Sequence, residues 1–599
     1  MGQKWLKLPQ YSERDAWDKV FGATKAEIVK NGEKCLSYKW KLIKATDYLE
    51  FSRSGNRGVL EGPLGANRDA LRTLTMAELA EGKGRFIDQI INGVFAFCEM
   101  TTWSPPAHLY IQKCRSPFPD HNEDIIDISG AETAAALAWA YYFFHDEFDK
   151  ANKLISKRLY RELERRVLDN YIKDVDWWWL AENYKPGMLV NNWNPWCNSN
   201  VLLCYMLLDG NKDRFAKAVY KSMRSVDKYL NYVKEDGACD EGPGYWGVAP
   251  AQLMEYLVLL NSATNGKVDI FDNRQIRNMG EYIAYAYIGN CWSVNFADAR
   301  ANALGGNPIK VFEYGALTGS GVMMSFSKIM ARDFPWLNNK KNDLLGLLRN
   351  LNYATKFDSY SEKFDYPKYK WYPQTEFCYI NCGDFFLAAK GGFNNESHNH
   401  NDVGSFILYY KKNPLIIDVG VGTYTRQTFS RERYSIWTMQ SDYHNLPKIN
   451  GISQKDGARY KAKNTQFDES SLTFSTDISG AYPKEANVYA WVRSYSLERK
   501  RAIIKDEYLL KEASRDTVIN FMLAKMPDIS REGIAVLKSK GGEAEMKYDK
   551  SKFSASVETI KISDAAISRV WGKELYRLSL VKKDKSAEGA DEFEIVVKN

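Results

Sequence analysis

Three of the chain's six histidines fall between positions 398 and 444, and their neighbours define the chemistry they can do. The run Ser397-His398-Asn399-His400-Asn401-Asp402-Val403-Gly404-Ser405-Phe406 is followed by Asp418, after Leu415-Ile416-Ile417, and by His444, after Ser441-Asp442-Tyr443. On a strand, positions 398, 400 and 402 share a face, so two imidazoles and a carboxylate are expected to converge there. With Asp418 and His444 from neighbouring strands, that gives a nitrogen and oxygen shell of the kind zinc accepts. The plainer alternative is a group of hydrogen-bonded strand histidines facing a polar loop.

Two further clusters lie upstream. Val190-Asn191-Asn192-Trp193-Asn194-Pro195-Trp196-Cys197-Asn198 interleaves four Asn with two Trp, setting neutral amide donors beside large flat rings. Asn-Pro marks a turn, so the amides are expected on a loop at a helix start, where a simple capping loop would look the same. In Asp236-Gly237-Ala238-Cys239-Asp240-Glu241-Gly242-Pro243-Gly244-Tyr245-Trp246-Gly247, Gly and Pro tighten a loop and bring Tyr245 to a helix entry. A packed aromatic would also suit that position. Asp236, Asp240 and Glu241 offer the paired carboxylates of a glycosidase, although acids in Gly-rich turns are usually solvated. No phosphate-binding loop, dinucleotide fingerprint or nucleophile elbow is present.

The elements that hold these clusters follow from periodicity. From about residue 15 to 345 apolar residues recur every three or four positions, as in Leu159, Leu163 and Val167, or Phe215, Val219, Met223, Val226 and Leu230. Glu132 to His145 is apolar nearly all round and predicts an inner helix. Breaks at Asp209-Gly210-Asn211 and Asp236-Gly237 separate helices of similar length, which suggests stacked helical hairpins in a solenoid or a ring. After a polar connection the period becomes two, in segments such as DFFLAAKGG, GSFILYYKKNPLIIDVG, SLTFSTDI, RAIIKDEYLLKEA and FEIVVKN. Helices first and strands afterwards exclude an alternating α/β sheet. The boundaries read as a helical domain over 1–350, a connection over 351–370 and a β domain over 371–599.

Composition bounds the function. The 599 residues suffice for two or more domains, and 17 Trp, 37 Tyr and 28 Phe are a surplus of flat faces suited to grooves that stack sugars or bases. The net charge of +7 is scattered, which suits an acidic ligand but gives no basic recognition helix, so nucleic acid is not expected as a partner. No run of about 18 apolar residues predicts a membrane span. The nine Cys lack zinc-finger spacing and read as mostly free and buried. The start MGQKWLKLPQ has no apolar leader core, and the expected location is periplasmic or secreted with the leader peptide absent from this chain.

Taken together, the Asn-Trp loop, the DG…EGPGYWG loop and the HNHNDVGSF…IIDVG…YHN series resemble the heparinase II/III superfamily of polysaccharide lyases over roughly residues 120–450. The resemblance implies an incomplete (α/α) toroid followed by an antiparallel β-sandwich, with the substrate cleft between them. It implies β-elimination at uronic acid residues of an anionic polysaccharide, leaving a 4,5-unsaturated end. By the same resemblance, Tyr245 is the general acid and often also the base, and His398 is the catalytic histidine. His400, Asp418 and His444 match the ligands of a structural zinc. Asn192 matches the residue that neutralises the uronate carboxylate, with Asn191 and Asn194 as alternatives. Trp193, Glu241, Tyr424 and Arg433 are expected to contact substrate, and Arg426 and Arg431 offer further guanidinium donors.

That chemistry explains the residue types. The uronate C5 proton is hardly acidic beside a charged carboxylate, so an amide or cation must stabilise the enolate-like intermediate. A base then takes the proton and an acid protonates the leaving oxygen, each worth about 10²- to 10⁴-fold. The competing expectations are a glycoside hydrolase on a helical toroid, which needs two carboxylates and water, and a non-catalytic glycan binder.

Overall fold

The computed structural model describes residues 8–173, 175, 177–185, 187–338 and 344–597. In the first part, every second helix packs on the next. Gly58–Glu81 lies against Ile128–Leu163, that helix against Trp193–Leu208, and the series continues through Pro250–Ala263 to Pro308–Thr318. These inner helices are buried on most sides; Ala134 to Ala140 are all buried, as the apolar run predicts. The helices between them, Ile87–Cys98, Lys212–Tyr232 and Arg274–Tyr285, bury one face only, with Phe215, Ala218, Val226 and Tyr229 turned inward on Lys212–Tyr232. Two concentric layers of this kind make an incomplete (α/α) toroid. Its helix starts are capped where the sequence places Asn and Asp: Asn211 accepts from Asp213 and Arg214, Asn273 from Gln275 and Ile276, and Asp127 from Gly130.

The second part is antiparallel throughout, in sheets of five, eight and four strands. The five-stranded sheet runs Tyr369–Tyr372, Phe377–Cys382, Phe385–Lys390, Phe406–Tyr410 and Asn413–Ile416 in order, and it is the middle layer of the molecule. Alternate residues go to opposite faces. Phe377, Tyr379, Phe386, Ala388, Ile407 and Tyr409 pack on Tyr282, Ile288, Val294 and Phe296 of the toroid. Cys378, Ile380, Phe385, Leu387, Phe406 and Leu408 pack on Trp491, Tyr495, Ile504 and Phe593 of the eight-stranded sheet. Each such aromatic or aliphatic side chain contributes roughly 1.5–3 kcal/mol on burial, so the two domains are joined by a core and not by a linker. Cleft geometry is therefore set by packing.

Two expectations need correction. The last toroid helix, Leu344–Ser359, runs past residue 350, and the first sheet strand begins at Tyr369, so the connection is only Tyr360 to Lys368. The HNHND segment is not a strand. It lies in the loop between Phe385–Lys390 and Phe406–Tyr410, with His398 at φ 57° and Gly404 at φ 80°. Asp402 consequently does not share a face with the imidazoles; its Oδ1 pairs with buried Lys390 at 2.6 Å. Five of the nine Cys are buried.

Candidate active site at the domain junction

Three loops meet where the toroid faces the middle sheet. The first carries Tyr245, in the short helical turn Pro243–Val248. It enters through Gly242 at φ 91°, where a Cβ would lie 2.6 Å from Ala299 Cβ and 2.7 Å from Phe296 O, so only glycine fits. The second loop, Asn295 to Arg300, is thereby pressed against Tyr245. Gly420 presses on it from the β side, with Ala299 O 2.8 Å from the position of an added Cβ, and Asn295 Nδ2 donates to Asp418 O at 2.9 Å. The third is the His398 loop.

Asp298, on the second loop, is the hub that the sequence reading missed. Its Oδ2 accepts from His398 Nδ1 at 2.7 Å and from the Tyr424 hydroxyl at 2.9 Å. Its Oδ1 accepts from His400 Nε2 at 3.0 Å and from Arg433 Nη2 at 2.8 Å. Burial alone would raise this carboxyl, but the hydrogen bonds from His398 and His400 and the Arg433 charge reverse the effect and hold it well below the usual carboxylate range. Asp298 is thus a fixed anion at neutral pH.

Around that anion the side chains fall into roles. Tyr245 and Tyr424 share a hydrogen bond between their hydroxyls, and because Tyr424 donates to Asp298, Tyr245 donates to Tyr424. Burial first, then the Asp298 charge, push the Tyr245 phenol up, so it is protonated at rest. The Tyr245 ring lies 4.4 Å from the His398 ring. With Nδ1 committed to Asp298, His398 keeps Nε2, which faces Glu241 Oε2 at 3.6 Å. Burial pulls His398 down, but Asp298 and Glu241 outweigh it and leave the imidazole above its ordinary value.

Glu241 is 3% exposed, its Oε2 has no hydrogen-bond partner, and burial drives its pKa to about 7 despite the His398 charge. The backbone N–H of Asn192 also favours the Glu241 carboxylate, which places the Asn-Trp loop directly beside this group. Asn192 sits at the start of the helix Trp193–Leu208, and its side chain does not cap that helix. Asn191 Oδ1 does accept from Trp193 N at 3.0 Å. Asn194 is buried and donates to Trp179 O and to Ser225, so it is spent inside the toroid. Trp193 packs its ring on His108 at 4.6 Å and on Trp178 at 5.1 Å, away from full burial.

The expected guanidinium contacts are redistributed. Arg433 is 7% exposed, with Nε on Asn399 O, Nη1 on Thr428 O and Nη2 on Asp298, so it positions the site's loops and has its donors on protein. Arg426 reaches back to Ser52 O at 3.0 Å. The arginines that do line the cleft are Arg300 and Arg569, both exposed, together with Arg57, which is paired with Glu61 at 2.7 Å. That cleft, about 500 Å³, runs between Tyr245, Asp298 and Tyr424 on one side and the start of the helix Gly58–Glu81 on the other.

Behind Asp298 lies a second, fully buried group. One ligand atom each from His400, Asp418 and His444 lies within 4.8 Å of the others. His400 Nε2 is on Asp298, while its Nδ1 is buried without a partner. His444 Nδ1 is 3.0 Å from Asp418 Oδ2. Two imidazoles and a carboxylate around an orphaned ring nitrogen have the donor chemistry of a zinc site. Asp402, on its pair with Lys390, is not part of it.

Residues 366–589 match the family model described as "Heparinase II/III-like, C-terminal". No curated protein matches the chain in sequence. Among solved structures, the chain is similar to heparinase III, with a TM-score of 0.61, 14% identity, and 99% of this chain and 86% of that chain covered. It is similar to the heparan sulfate lyase HepC from Pedobacter heparinus, with a TM-score of 0.57, 14% identity, and 99% and 85% covered. It is also similar to the Streptomyces coelicolor A3 chondroitin AC lyase, solved with chondroitin sulphate, with a TM-score of 0.53, 10% identity, and 97% and 82% covered. Residues 366–589 therefore match a heparinase II/III-like C-terminal domain, and the chain shares the two-domain fold of these solved structures along nearly its whole length.

Proposed function

We propose that this protein is a polysaccharide lyase that opens a uronic acid-containing glycan of the glycosaminoglycan type by β-elimination. The observation that carries the reading is the pairing of Tyr245 with His398 at a cleft, 4.4 Å apart, with His398 bonded directly to the buried anion Asp298 and Tyr245 linked to it through Tyr424. Tyr245, protonated at rest, gives its proton to the leaving oxygen. His398, with Nδ1 fixed and Nε2 open to accept, takes the C5 proton. Asn192 meets the uronate carboxylate as a neutral donor, stabilising charge that develops only in the transition state. Arg300 and Arg569 meet further anionic groups on the chain of sugars, and Trp193 lends a flat face. Glu241 and Asp240 do not supply the two opposed carboxylates of a hydrolase, because Glu241 is buried against His398 and Asp240 is held by Tyr232 at 3.1 Å.

His400, Asp418 and His444 would hold a structural zinc ion. Bound there, zinc would supply cross-linking of the His398 loop to the neighbouring strand end, and His400 would link it to Asp298. Among the described residues no helix is long and apolar enough to cross a membrane. A periplasmic or secreted location fits a polymer substrate.

A panel of uronic acid polysaccharides, read by ultraviolet absorbance of the unsaturated product, tests the reading. Absorbance growing with at least one member is expected, and bond cleavage without it would reject the lyase assignment.

A further inference from the structure

Phe429 is a large apolar side chain left 54% exposed at the catalytic centre. Its ring meets Tyr424 edge-on at 5.0 Å and His398 edge-on at 5.5 Å, and the Arg433 guanidinium lies 5.9 Å from its centre. Other exposed rings, such as Tyr220 and Phe95, lie on toroid helices and also meet an arginine, Arg224 at 5.9 Å and Arg158 at 5.3 Å, but Phe429 in addition packs edge-on against His398 and Tyr424.

The loop that presents Phe429 is held at both ends. Thr425 and Thr428 close a reciprocal cap on the turn Arg426–Phe429, and Thr425 bridges Asn56 of the toroid. Arg426 N donates to Gly55 O at 3.1 Å and its Nη1 to Ser52 O at 3.0 Å, while Arg433 Nη1 holds Thr428 O at 2.9 Å. An aromatic ring fixed in this way and still exposed is preorganised: a ligand that covers it gains apolar contact without ordering a side chain. The π face is electron-rich and attracts the positive C–H edges of a pyranose ring, whose hydroxyls stay at the rim.

Resting on the lyase reading above, we propose that Phe429 is the stacking platform for the sugar beside the scissile bond, contributing binding and not proton transfer. Arg300 and Arg569 grip anionic substituents in the adjoining cleft, which Phe429 does not line, so recognition is divided between an apolar face and charged groups.

The test uses the full chain and a polysaccharide that wild type opens. Phe429→Ala and Phe429→Leu should each raise KM about tenfold with kcat within about threefold, and Phe429→Tyr or Phe429→Trp should restore KM to within about threefold of wild type. If the ring merely shields His398, Phe429→Leu restores KM as well as Phe429→Tyr does, and the proposal falls. An unchanged KM in Phe429→Ala also overturns it. Should Phe429→Ala prove poorly folded by its melting temperature, the comparison of Leu with Tyr decides alone. If wild type opens no member of the panel, the lyase reading fails separately; calorimetric binding of the same glycans by wild type and Phe429→Leu then decides the platform, and equal binding or no binding in wild type overturns it.

Discussion

Asp298→Asn keeps the shape of the hub and exchanges one of its acceptors for a donor. Four donors converge on the carboxylate, two on each oxygen. If the amide oxygen stays with Arg433 and His400, the NH₂ group confronts the His398 Nδ1–H and the Tyr424 hydroxyl. The imidazole must then carry its proton on Nε2, where it can no longer accept one from C5. The opposite orientation leaves the Arg433 cation, 7% exposed, facing an NH₂ group without its counter-ion. Removing one partner of a buried ion pair costs about 3–5 kcal/mol, and imposing the wrong tautomer on a catalytic histidine costs on the order of 10⁴-fold elsewhere. Asp298→Asn should therefore lower turnover by roughly 10³- to 10⁴-fold and destabilise the fold by about 3 kcal/mol or more. Initial rates of ultraviolet product formation give the first quantity, and urea unfolding followed by Trp fluorescence gives the second. Turnover within tenfold of wild type would refute Asp298 as the organiser of the site.

Three further outcomes follow from the geometry. Glu241 binds its proton with a pKa of about 7 when folded, against 4.5 in the open chain, so the folded state holds the extra proton and stability falls as pH rises from about 4.5 to 7. The span is about 3 kcal/mol, and Glu241→Gln should flatten it; an identical pH slope in variant and wild type would remove Glu241 from this account. Purified protein should contain about one zinc per chain, and His444→Ala or Asp418→Asn should release it and lower the melting temperature, by up to about 4 kcal/mol of linkage where zinc exceeds its Kd a thousandfold; wild type without zinc contradicts the site. Arg300→Ala and Arg569→Ala should each raise KM about three- to tenfold at low salt and weaken its salt dependence, and an affinity flat from low to molar salt would reject anion contacts in the cleft.

Much of the architecture was legible because it rests on local pattern. The stripe from Phe215 to Leu230 needs only a period near 3.6, and the segment RAIIKDEYLL reads correctly as a strand, in which Ala502, Ile504, Tyr508 and Leu510 are buried on one face. FILYY is different: its residues are buried on both faces, so alternation is invisible and the middle position of its sheet emerges only from tertiary packing. The motif residues Tyr245, His398 and Glu241 were found from the sequence and lie together, yet the strand assumed for HNHND fails because Asp402 is pulled to Lys390 and His398 takes a left-handed turn. Asp298 had no periodicity or motif to reveal it. The only available signal was the small-residue run Ala297-Asp298-Ala299-Arg300-Ala301, where one carboxylate among alanines marks a loop that other segments approach closely. Arg433 reads in sequence as a surface donor because its partner Asp298 is 135 residues away.

Cleavage in ¹⁸O-labelled water, followed by mass spectrometry of the products, tests the central claim most directly. Wild type should release a 4,5-unsaturated uronate end with no label gained at the broken bond. Tyr245→Phe, which loses one hydroxyl and keeps the ring, should still bind the glycan while making that product at least about 10²-fold more slowly. Products heavier by one labelled water and lacking the double bond would show hydrolysis, and full turnover by Tyr245→Phe would show that its hydroxyl moves no proton.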